Sequence, residues 1–162
     1  MKLNSLILLG TSSLLISTMA LSVNALNNPK TEQSSNPPVT LIAQNQTVAL
    51  MSGNFMKAEA PTTGKATIIS EGGHKYLVLD SAFSTSNQGP DLHVLLDTDA
   101  KPPQTYQNIN RPLNLGKLHS VTGTQRYPIP DSINPAQYKS VVIWCRMANA
   151  TFGYAPLQTA RK

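Results

Sequence analysis

From about Val48 onward, short runs of apolar and β-branched residues alternate with clusters of Gly, Pro, Asn and Ser. Lys65–Ser70, Lys75–Asp80 and Asp91–Asp97 have the length and composition of strands. Gly72-Gly73 between the first two suits a hairpin, since glycine reaches positive φ at little cost. Leu115–Val121 is a weaker strand containing His119, and Gly123–Pro130 is a strand with two prolines. Proline lacks a ladder N–H, so that strand belongs at an edge or an end. Asn134-Pro135-Ala136-Gln137 suits a single helical turn with Pro at its start. Val141–Met147 is among the most apolar stretches outside the N-terminus, and Ala148–Leu157 follows it. No segment keeps a helical apolar period beyond one turn. The pattern predicts an all-β domain, an antiparallel β-sandwich or barrel of about 7–9 short strands. Thr98–Pro112 has no period, and loops of that length are commonly functional or mobile.

The N-terminus differs. Lys2 precedes an apolar run, Leu6–Leu21, broken only by Gly, Ser and Thr, and Val23-Asn24-Ala25 supplies a small-residue cleavage site. Residues 1–25 read as a secretory signal peptide, with no membrane span after its removal. Residues 26–47 are rich in Asn, Gln, Ser and Pro and read as a flexible tether, leaving 48–160 as the β domain. The expected location is the periplasm or the extracellular side of a cell envelope.

Composition narrows the chemistry. The chain carries net charge +5, with its basic residues scattered rather than clustered. Nucleic-acid binding calls for a basic stripe with interleaved aromatics, and none is visible. There is one Cys, so no internal disulfide supports the fold. Cys145 is left as a free thiol, a ligand, or half of an intermolecular bridge.

Alternate residues of a strand share a face. Cys145 is therefore expected with Val141, Ile143 and Met147 on an apolar inward face, and Trp144 with Val142 and Arg146. A buried Cys acting only as a small hydrophobe fits this pattern too. His93 falls on the opposite, more polar face of its strand with Asp91 and Asp97, which suits a surface histidine. Asp91, after Gly89-Pro90, suits a residue capping its own turn. No His follows Cys145, which excludes a blue-copper loop, and no Cys-x-x-Cys-His exists for covalent haem. Non-covalent haem on Cys145, with Met147 or His93 as further ligand candidates, stays open. No catalytic triad order, phosphate loop or zinc-protease motif appears, so a conventional enzyme is not expected.

Gly53-x-Phe55, Gly64-Lys65-Ala66, Tyr76-Leu77-Val78-Leu79, Gly89-Pro90-Asp91-Leu92, Gly123-x-Gln125-x-Tyr127-x-Ile129-Pro130, Tyr138-x-Ser140-Val141-Val142-Ile143-Trp144-Cys145 and Phe152-Gly153-Tyr154-Ala155-x-Leu157 follow in an order with a likeness. It resembles the DM-thirteen domain family, the small extracellular module of Skeletor-type animal proteins and bacterial exported proteins. The resemblance runs from about residue 50 to 158. It implies an all-β fold and an electron-transfer role in which the single Cys, here Cys145, acts as a bare thiol or as a ligand to a prosthetic group such as haem. The implied partner is a redox protein or a cell-envelope component. A non-catalytic binding or structural module of the envelope is the alternative reading.

Overall fold

The computed structural model describes residues 46–160. The expected signal peptide and nearly all of the expected tether lie outside that range. Ten strands form: β1 (Val48–Asn54), β2 (Met56–Lys57), β3 (Lys65–Glu71), β4 (His74–Leu79), β5 (Leu92–Asp97), β6 (Leu113–Lys117), β7 (Gln125–Ile129), β8 (Ser140–Cys145), β9 (Ala150–Pro156) and β10 (Gln158–Thr159). They build two antiparallel five-stranded sheets, ordered β10-β1-β3-β4-β7 and β2-β9-β8-β5-β6. The all-β sandwich expected from the strand pattern is the observed architecture. The one helical piece among the described residues is a 3-10 turn at Pro135–Gln137, capped by the Asn134 side chain as its sequence predicts.

Both hairpin and edge expectations hold. Gly72 and Gly73 have φ of 58° and 85°, which lets Glu71 pair directly with His74. β7 lies at the edge of the first sheet, where Pro128 leaves no interior ladder position unfilled. The weaker strand is shorter than the sequence suggests. β6 stops at Lys117, and His119 lies in the following loop, stacked on Tyr127 at 4.5 Å between ring centroids.

The chain passes between the sheets twice at one corner. β1 continues through Phe55 into β2, and β9 continues through Leu157 into β10. These crossings touch at Gly53, where a Cβ would stand 2.0 Å from the Pro156 carbonyl oxygen. Only glycine permits that approach.

The main core lies between the sheets. Ile68, Leu77, Leu79 and Tyr127 from the first meet Val94, Leu96, Val141, Ile143 and Cys145 from the second. A bulge in β9 adds to it. Ile143 pairs with Gly153 but Trp144 pairs with Thr151, so Phe152 is the extra residue and joins the core. A second, smaller cluster covers the other face of the second sheet: Leu95, Val142, Trp144 and Tyr106, with half-buried Tyr154 against it.

Candidate functional site

β8 is the central strand of the second sheet and is buried along its whole length. Side-chain alternation sends Cys145 inward with Val141 and Ile143, and Trp144 outward with Val142. Cys145 is a free thiol with 0% exposure, paired across the ladder with Leu92 and Ala150.

Met147 does not share that face. β8 ends at Cys145, the chain turns through Arg146–Asn149, and Met147 stands 73% exposed. Strand parity cannot be carried past a strand's end, and here the end comes because Asn149 takes a left-handed conformation, φ 47°. Asparagine tolerates that region better than most residues.

His93 occupies the outward side of β5, opposite Trp144 in register, at 6.3 Å between ring centroids. It is buried rather than a surface residue, at 8% exposure. Asn114 Oδ1 accepts from the Gly116 N–H, which turns Asn114 Nδ2 toward His93 Nδ1 at 3.2 Å. His93 then carries its proton on Nε2 and donates to Asp91 Oδ1 at 3.1 Å. Asp91 does more than cap a turn. Its Oδ2 accepts from Arg146 Nε at 2.6 Å, and Lys117 Nζ stands 3.5 Å from Oδ1. The Arg146 guanidinium, and after it His93, hold the Asp91 carboxyl below the usual carboxylate range against the opposing effect of burial.

Cys145, His93 and Met147 thus occupy three separate environments: the core, the outer face and solvent. Cys145 lines none of the four principal surface hollows. A haem plane needs an open approach to its ligand, and apolar side chains fill the space on the sulfur's side. These three residues do not fit a haem site. Among the described residues, no group of three or more His, Cys, Asp or Glu side chains is placed to hold a metal ion.

Residues that the sequence did not single out complete the outer face. The Thr98–Pro112 loop, expected to be functional or mobile, is clamped down. Tyr106 is inserted beside Trp144, edge to face, at 6.0 Å and 86°. The Tyr106 hydroxyl donates to Asp97 Oδ2 at 2.6 Å. Asp97 is wholly buried, and its other oxygen accepts from the Asp99 N–H at 2.8 Å. Burial, and then the hydrogen bond to Asp97, push the Tyr106 phenol well above its ordinary range. Asn149 ties the loop to β8: its Oδ1 accepts from the Tyr106 N–H and from Trp144 Nε1, while Nδ2 donates to the Tyr106 carbonyl. Thr151 adds a bond from Oγ1 to the Pro103 carbonyl at 2.7 Å. An aromatic in an otherwise polar, proline-rich loop was the available signal for Tyr106.

The geometry defines a two-sheet β-sandwich protein whose central strand holds a shielded thiol on one face and a covered indole on the other. The model of the electron transfer DM13 family matches residues 54–157, and the chain belongs to that family. Membership supports an electron-transfer role for the domain. No curated protein and no solved structure matches the chain.

Proposed function

We propose that the protein is an exported electron-transfer protein of the cell envelope in which Cys145 is the residue that exchanges electrons. The observation that carries this reading is the position of the thiol. The protein's one Cys stands at the end of its central strand, fully shielded, and is joined through one peptide bond to its one Trp. Shielding withholds the sulfur from disulfide exchange, which needs direct attack on or by a thiolate. It leaves electron exchange through the strand, which needs no contact between sulfur and partner. Export is supported by the Lys2, Leu6–Leu21 and Ala25 pattern.

The test is one-electron oxidation of the purified protein by photogenerated tris(bipyridine)ruthenium(III), which is strong enough to oxidise a thiol to a thiyl radical, read by electron paramagnetic resonance after freezing. In the wild type part of the signal is sulfur-centred, formed as Cys145 gives one electron to ruthenium(III) and its thiol proton to solvent, and Cys145→Ala gives no such signal. A bulky aromatic disulfide reagent labels Cys145 only after denaturation. Absence of a sulfur-centred radical in the wild type ends the assignment to Cys145.

A further inference from the structure

We propose that Trp144 and Tyr106 form a proton-coupled electron relay on the outer face of the second sheet, with Asp97 as the proton acceptor. The relay deepens the electron-transfer reading of the domain but does not depend on Cys145, which faces the other way.

Three features converge. The two rings meet edge to face within one buried cluster, and half-buried Tyr154 packs against it toward solvent. The two rings also have different hydrogen-bond partners. Trp144 Nε1 donates to the Asn149 side-chain oxygen at 3.2 Å. An amide oxygen is a very weak base and does not take the indole proton, so an oxidised Trp144 stays a cation radical and a strong oxidant. Tyr106 donates to a carboxylate at 2.6 Å, a length typical of a charge-assisted bond. Finally, Asp97 is fully buried, and no basic side chain is bonded to it among the described residues. The other charges bearing on Tyr106 are Arg111 and Asp99, which pair with each other at 2.6 Å. A carboxylate that is buried without a cation is costly unless its partners favour it. Here it lies within hydrogen-bond distance of the phenol proton it would receive.

The sequence of steps balances. A one-electron oxidant of high potential, a metal complex or an organic radical, removes one electron from Trp144 and is itself reduced by one. Tyr106 returns an electron to Trp144. Its Oη–H bond breaks as this happens, and the proton forms a bond to Asp97 Oδ2. The products are a neutral phenoxyl at Tyr106, a neutral carboxylic acid at Asp97 and a restored indole. Reduction runs the same path backward.

The experiment uses the purified protein with photogenerated tris(bipyridine)ruthenium(III) as oxidant, read by transient absorption and by electron paramagnetic resonance after freezing. In the wild type, the indole cation band appears first and gives way to a phenoxyl band, and the second phase is slower in D2O. The trapped phenoxyl carries one strongly coupled exchangeable proton, the one now on Asp97. Tyr106→Phe loses this phenoxyl and prolongs the indole cation. Asp97→Asn loses the D2O-sensitive phase. Cys145→Ala leaves both bands in place. The proposal is overturned if the indole cation in the wild type decays with no phenoxyl. It is equally overturned if the phenoxyl lacks the coupled proton, a measurement that needs no variant to fold. A phenoxyl that is quenched in the wild type but persists in Cys145→Ala would make the thiol the terminus and overturn the relay as well. Because a sulfur-centred radical and a phenoxyl give distinct resonance spectra, failure of the Cys145 assignment and failure of the relay are read separately.

Discussion

Arg146 is bound twice to Asp91. Its backbone N–H donates to the Asp91 carbonyl at 2.9 Å, and its Nε donates to the Asp91 carboxylate at 2.6 Å. The residue after Cys145 is thereby fastened to the residue before Leu92, the ladder partner of Cys145. The pair ties the start of β5 to the end of β8 on the outer side of the second sheet.

That tie is sensitive to acid. The folded protein holds the Asp91 carboxyl below its ordinary value, so the unfolded chain binds the proton first as pH falls. The stabilisation is present above the unfolded carboxylate range, about pH 4, and is lost as pH drops through the lower folded value. Urea unfolding midpoints of the wild type are expected to fall across that window. In Asp91→Asn the midpoint is already lower at neutral pH, and the step attributable to this carboxyl is absent.

High pH acts through the phenols. Burial raises both Tyr106 and Tyr127 above the ordinary tyrosine value. A group kept protonated by folding favours the unfolded state once free tyrosine ionises. Stability therefore declines as pH rises above about 10. Denaturant midpoints measured from pH 8 upward show the decline. Ultraviolet titration finds these two phenols silent until the protein unfolds.

Asn149 carries two separable contributions. Asn149→Ala removes the three side-chain bonds to Tyr106 and Trp144 and also places a Cβ residue without a local hydrogen bond at φ 47°. The expected loss is about 2–4 kcal/mol. Asn149→Gly loses the same bonds but not the conformational fit, and is more stable than the Ala variant by about 1 kcal/mol. Urea unfolding of the two variants decides it. Equal stabilities would mean that the backbone conformation contributes nothing.

At Cys145, serine is the worse replacement. The site is lined by Val141, Ile143 and their core neighbours, and a hydroxyl buried there without a good partner costs about 1–3 kcal/mol. Cys145→Ala leaves only a small void. Thermal unfolding is expected to rank wild type above Ala above Ser.

Period-two alternation made the opposition of Cys145 and Trp144 legible in the sequence, because β8 is a regular strand with both faces buried. The Gly72-Gly73 hairpin, the edge position of β7 and the turn at Pro135 were legible for equally local reasons. Met147 was not, because a turn set by one left-handed asparagine ends the alternation after Cys145. Phe152 was hidden by a bulge, which adds one residue to the count. The Tyr106–Asp97 bond joins residues nine apart across a loop with no period, so no local pattern announces it. His93 reads as a surface residue from its polar neighbours. It is buried because Asp91 and the cross-strand Asn114 bond to its two ring nitrogens and Trp144 packs beside it.

The loop that hides Trp144 is held by a handful of hydrogen bonds, to Asn149, Thr151, Asp97 and Ser140, whereas the inner face of β8 is held by the whole sandwich. The two faces of one strand therefore belong to different units of opening. A local fluctuation that lifts residues 98–112 admits solvent to the indole while the sheets remain paired, and solvent reaches the thiol only when the sandwich itself comes apart. In hydrogen exchange, the indole N–H of Trp144 keeps the rhythm of the loop, and the backbone amides of β8 keep that of global unfolding.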